Sequence, residues 1–151
     1  MKKRGRRIIM IVCVIVICIC ITILLQPLYR YSRTVYINWK YDLPVTYREV
    51  YEYSEPSFHG DGYRYHVFQY WKSKKAIEQL YTGASADRSE KELDSDITII
   101  SEWLDEIDVP ENVRPDYKEC LWQSAKQEDG SVIYLLWNPK TFTLYIAESF
   151  M

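Results

Sequence analysis

The chain is poor in the residues that most often carry chemistry. Of its 151 residues only two are histidine, five are glycine and four are cysteine. Cys13, Cys18 and Cys20 fall inside one apolar run, where they act most simply as small apolar side chains, with palmitoylation as the other reading. Cys120 alone lies beyond it. The rest of the chain therefore forms no internal disulfide, and it has no paired-cysteine pattern of the kind that holds zinc. Cys120 reads as a buried strand residue beside Trp122, or as half of a disulfide between two chains. No Gly-x-Ser-x-Gly elbow occurs. The N-terminal segment also lacks acids and aromatics: all 21 acidic residues, and every Tyr, Trp and Phe, follow the apolar run.

That run is Ile8 to Leu25, eighteen residues without a charge. As a helix it is about 27 Å long, close to the roughly 30 Å hydrocarbon core of a bilayer. It is apolar all round, whereas a soluble helix needs a polar stripe. A cleaved signal peptide would have a shorter apolar region and a small-residue A-x-A site, and neither is present. A lipoprotein would carry a small residue directly before its cysteine. Here Val12, Ile17 and Ile19 stand in that place. The expectation is an uncleaved anchor in the lipid bilayer. Residues 1–7 form a basic tail, 8–26 a transmembrane helix, 27–44 a stalk and 45–151 an extracytoplasmic domain. Lys2, Lys3, Arg4, Arg6 and Arg7 precede the span, and only Arg30 and Arg33 lie just after it. The positive-inside rule then keeps the N-terminus in the cytoplasm. Pro27 ends the helix. Tyr29, Tyr31, Tyr36 and Trp39 suit the outer headgroup layer or begin the folded domain.

Charge excludes some partners. Taking the five N-terminal bases from 19 leaves 14 against 21 acids, a net charge near −7 beyond the span. Nucleic acid demands a basic face, and tight docking on anionic lipid is disfavoured as well.

Beyond Pro44 the pattern is mixed. Val45 to Tyr53 is β-branched and aromatic, as a strand requires. Tyr63 to Trp71 is a second strand, apolar on both faces. Ser73 caps a short helix containing Ala76, Ile77, Leu80 and Tyr81, stopped by Gly83. Ser89 with Glu92 has the capping-box spacing. The helix they open carries Leu93, Ile97, Ile100, Leu104 and Ile107 on one face, with Trp103 alongside, and Pro110 ends it. Its acidic residues include Asp94-x-Asp96, which lacks the glycine of a calcium loop, so they read as a solvated face. Tyr117–Gln127, Ser131–Trp137 and Thr141–Phe150 read as three strands. Glu128-Asp129-Gly130 and Asn138-Pro139-Lys140 are the turns between them. The expected fold class is α+β: the N-terminal transmembrane helix, then an antiparallel sheet in the order β-β-α-α-β-β-β with two helices on one face.

The segment FHGDG and the ending QEDGSVIYLLWNPKTFTLYIAESFM, with its YIAESF-type closing hairpin, resemble small uncharacterised exported or membrane-anchored proteins of Gram-positive bacteria. The resemblance covers roughly half the domain. It implies a location at the membrane and supplies no catalytic residue.

The chemistry, if any, would centre on Ser57–Phe68, which holds both histidines. His59, Asp61 and His66 have the right types for a zinc site. With Asp61-Gly62 as the turn, however, His66 falls opposite Ser57 or Phe58, and the two imidazoles need not converge. A nucleophilic triad has no specific support. A phosphate cradle at Gly60 and Gly62 lacks both a helix start and a nearby lysine. A hairpin turn explains more. Gly60 and Gly62 reach positive φ freely, Asp61 bonds its own backbone, and the histidines flank the turn at the strand ends. No cofactor is implied. The favoured reading is a binding protein whose partner is another envelope protein or a wall glycan. An envelope hydrolase using His59, Asp61 or His66 comes second, and an immunity or accessory protein for a neighbouring envelope protein is a third alternative.

Overall fold

The computed structural model describes residues 2–25, 30–54, 61–81 and 90–151. The chain divides into two compact units, Met1–Val45 and Thr46–Met151.

The first unit is helical. Helix α1 runs Lys2–Leu25, and its described side chains extend from Met10 to Ile21. All of these are exposed, Met10 at 63% and Ile21 at 49%. That stretch is only about 18 Å long. Among the described residues no helix is long and apolar enough to cross a membrane. The expected stalk contains a helix, α2, from Tyr31 to Trp39. It stops at Lys40, whose φ of 63° turns the chain left-handed while its N–H donates to the Tyr36 carbonyl at 3.0 Å. The Arg33 guanidinium lies over the Tyr36 ring at 5.1 Å.

The second unit is α+β. Among the described residues it has a five-stranded antiparallel sheet in the order β1-β2-β5-β4-β3. The strands are β1 Arg48–Ser54, β2 Gly62–Gln69, β3 Leu121–Lys126, β4 Val132–Asn138 and β5 Thr143–Phe150. Helices α3, Lys74–Gln79, and α4, Glu90–Glu106, stand between β2 and β3. The last three strands form a meander with the expected turns. At Gln127–Ser131, Gly130 takes φ 97° and the Asp129 carboxylate accepts from Ser131 N at 2.9 Å. After β4, the Asn138 Oδ1 accepts from Lys140 N at 2.9 Å and Thr141 N at 3.2 Å. The β2–β5 pairing, from Gly62↔Phe150 to Gln69↔Thr143, puts β5 at the centre of the sheet, between β2 and β4.

Alternation along the strands separates two faces. One carries Tyr65, Val67, Trp122, Tyr134, Leu136 and Ala147, packed with Ile100, Leu104, Ile107 and Val109. The α4 stripe therefore faces the sheet as its spacing requires. The helix ends before Pro110 because Asp108 turns left-handed at φ 52° and Val109 N donates back to the Leu104 carbonyl at 2.9 Å. Arg114 ties down this end: Nε donates to the Val109 carbonyl at 2.9 Å, one guanidinium nitrogen to the Leu104 carbonyl at 3.2 Å and another to the Asp105 carboxylate at 2.5 Å.

The opposite face carries Phe68, Ile133, Leu135, Trp137, Leu144 and Ile146, all fully buried. Tyr47 stacks on Phe68 at 3.8 Å between ring centroids, and Trp137 meets Phe142 edge-on at 6.2 Å. The expected pair of helices on one face is therefore corrected. Ile77 of α3 is buried but is not part of the α4 cluster, and Lys74 of α3 lies over the Phe142 ring at 5.6 Å, on the Trp137 side. The physical reason is that the central strands are apolar on both faces, so each face needs cover. Two strand boundaries also move. Val45 to Tyr47 precede β1, and Tyr117–Glu119 is a 3-10 turn with the Asp116 side chain accepting from Lys118 N at 3.3 Å.

Candidate functional site

Of the candidate residues in the β1–β2 connection, His59 and Gly60 lie outside the described residues, as does Ser89 of the expected capping box. Asp61 is exposed, and Gly62 opens β2 with φ 119°, a value that favours glycine. The pairing Ser54↔Arg64 makes the connection longer than a two-residue turn, and His66 stands opposite Glu52 rather than Ser57 or Phe58.

His66 is not a strand-end residue. It sits in the middle of β2 at 0% exposure. Its Nδ1 lies 2.6 Å from Oε1 of Glu49 on the edge strand, and the Glu49 side chain is 30% exposed. That is the length of a charge-assisted bond in which Nδ1–H donates to a carboxylate. The contact crosses an irregularity: Glu49 pairs with Phe68 and Tyr51 with Val67, leaving Val50 as an extra residue. Without that bulge, Glu49 and Tyr51 would share a face. With it, Glu49 falls beside His66 while Tyr51 joins the α4 side.

Other ionisable groups meet in the same corner. Glu52 is directly across from His66, and Glu148 on β5 is directly across from Arg64. Glu148 is 0% exposed, and the Arg64 guanidinium lies over the Phe150 ring at 4.3 Å. The corner of β1, β2 and β5 thus holds two fully buried ionisable side chains, His66 and Glu148, with Glu49 and Arg64 at its margin. Among the described residues, no group of three histidine, cysteine or acidic side chains is placed to hold a metal ion. The buried imidazole and its carboxylate form a polar staple joining the edge strand to the central strands. Sequence reasoning singled out His66 but missed Glu49 and Glu148. A lone acid inside the apolar strand Tyr145-Ile146-Ala147-Glu148 was the available signal.

Cys120 is half-buried just before β3, and burial pushes its thiol up to about 12. On the α4 side Tyr65, Tyr117 and Tyr145 are all raised above the ordinary tyrosine value, chiefly by burial.

No family model matches the chain, and neither a curated protein nor a solved structure matches it.

Proposed function

We infer that the chain is a single-pass membrane protein, N-terminus inside, whose Thr46–Met151 unit lies outside the cytoplasm and acts by binding. One observation carries the anchor: the side chains of α1 from Met10 to Ile21 are apolar and exposed, in a helix headed by five bases. Exposed apolar surface on this scale supports a nonaqueous surrounding. The uncharged sequence continues from Ile8 to Leu25, long enough for the hydrocarbon core.

The partner is another protein of the envelope, met at the edge strand. Strand β1 lies at the end of the sheet, with Arg48, Glu49, Val50, Glu52 and Ser54 exposed. An edge strand offers main-chain donors and acceptors to an incoming segment. Its charges and its bulge at Val50 select against indiscriminate pairing.

Topology is tested by labelling a Met151→Cys variant in intact cells with a membrane-impermeant maleimide. Cys120 gives little background because its raised thiol stays protonated at neutral pH. Labelling in intact cells is expected; labelling only after lysis reverses the orientation. Mature chains that begin near Pro27 would remove the anchor. A photocrosslinker at Val50 is expected to give a discrete adduct that one at exposed Thr98 does not.

A further inference from the structure

Among its described residues the Thr46–Met151 unit leaves few large apolar side chains exposed. These are Val50 at 39%, Trp71 at 57% and the terminal Met151 at 78%. Trp71 stands out because indole is large and the other tryptophans of this unit are buried or half-buried. It lies two residues past the end of β2 and runs into Lys72, Lys74 and Lys75, all exposed. From Gly62 to Ile77 the sequence contains no acidic residue. Lys74 is partly engaged, 3.6 Å from the Glu78 carboxylate and over the Phe142 ring.

We propose that Trp71, Lys72, Lys74 and Lys75 form a second membrane-contact patch that docks on anionic lipid headgroups. The proposal rests on the anchored reading above. Three features commit it to lipid. An indole beside lysines suits the boundary between headgroup and acyl chain, where the ring is half-immersed and the ammonium groups stay among phosphates. A soluble polyanion would use the lysines but gives the exposed indole nothing to enter. The chain between Leu25 and Thr46 is also short: even fully extended it reaches no more than about 70 Å, so an anchored domain stays at high effective concentration over its own bilayer. Charge sets which side docks. The unit is acidic overall, so an anionic surface repels most of it, and this basic stretch is where attraction survives within a Debye length of about 8–10 Å.

The test uses the full chain reconstituted into lipid vesicles, with lipids brominated near the headgroup as contact quenchers of indole fluorescence. Subtracting the signal of Trp71→Phe from that of the parent protein isolates Trp71. Flotation first reports whether the chain enters the bilayer; a chain that does not float removes both the anchored reading and this patch. In floated protein, the Trp71 signal is expected to be quenched in brominated phosphatidylglycerol. Quenching should fall in brominated phosphatidylcholine and at high salt. It should disappear when Lys72, Lys74 and Lys75 are all changed to Gln, with circular dichroism unchanged. Floated protein whose Trp71 is not quenched in phosphatidylglycerol overturns the patch and leaves the anchor standing. Quenching that survives the triple substitution overturns the electrostatic docking. A Trp71 response to soluble polyphosphate in place of the vesicle surface would assign the site to an anionic polymer instead.

Discussion

The two faces of the sheet solve the same burial problem with different chemistry. The face under α4 is built from tyrosine and tryptophan, and their polar tips reach partners outside the sheet. The Tyr65 hydroxyl donates to the Val113 carbonyl at 2.8 Å, the Tyr134 hydroxyl to the Asp96 carboxylate at 2.8 Å, and Trp122 Nε1 to the Tyr117 carbonyl at 3.3 Å. The opposite face is mostly aliphatic, and its ionisable groups gather in one corner, with His66 bonded to Glu49 on a neighbouring strand. Amphipathic rings suit a face whose cover is a helix with polar groups along its flanks. A strand-to-strand bond suits a face whose polar groups must be matched within the sheet itself. The first arrangement ties α4 and the following turns to the sheet, and the second ties the edge strand to its centre.

The largest expected effect comes from breaking the first face. Leu104 is 1% exposed in the middle of the α4 contact. Leu104→Asp would bury an unpaired charge, at a cost on the order of 4 kcal/mol against a total stability of about 5–15 kcal/mol. Loss of a cooperative urea transition is the expected result. A variant that melts like the parent would show that this helix face is not in the core.

Alkaline pH should also separate the faces. Tyr65, Tyr117, Tyr145 and Cys120 all lie on or beside the α4 face, and each is raised in the folded state. The unfolded chain gives up these protons first. Their contribution is therefore complete below the unfolded values, near 9 for the thiol and 10 for the tyrosines, and is lost as pH climbs toward the raised ones, about 12 for Cys120. Stability measured by urea should decline above about pH 9, and more shallowly in Tyr145→Phe. A flat profile to pH 11 would contradict the burial of these rings.

The smallest effects sharpen the second face. His66→Ala removes a fully buried ring and its bond to Glu49, and should cost about 2–3 kcal/mol. Gly62→Ala forces a Cβ into φ 119° and should cost about 1 kcal/mol. Read as a turn, FHGDG gives the opposite order, with glycine mattering more than histidine; the buried position of His66 reverses it. A double-mutant cycle between His66→Ala and Glu49→Ala should show coupling of about 0.5–2 kcal/mol. Additive costs would mean that the two side chains act independently.

Periodicity carried far in this chain. The steps from Leu93 to Ile107 fixed which side of α4 meets the sheet, and Asp129-Gly130 and Asn138-Pro139 marked turns that the side chains then close by local hydrogen bonds. Such features depend on neighbours within a few residues, so they are legible in order. The site was less so. His66 was visible as a residue type, but its partner lies seventeen positions away across a bulge that shifts Glu49 to its side.

The sequence by itself determined the five strands and the helices α3 and α4 of the second unit, the α4 stripe and the meander, because backbone propensity and alternation act locally; it left α2 unread inside the stalk. It also set the uncharged run from Ile8 to Leu25 apart from the acidic remainder. Only the tertiary structure decided that β2 pairs with β5, that α3 and α4 do not share a face, and that His66 and Glu148 are both taken out of water. Those outcomes depend on pairings between strands about eighty residues apart, where the burial of two apolar faces outweighs the cost of enclosing polar side chains, and no local pattern encodes that balance.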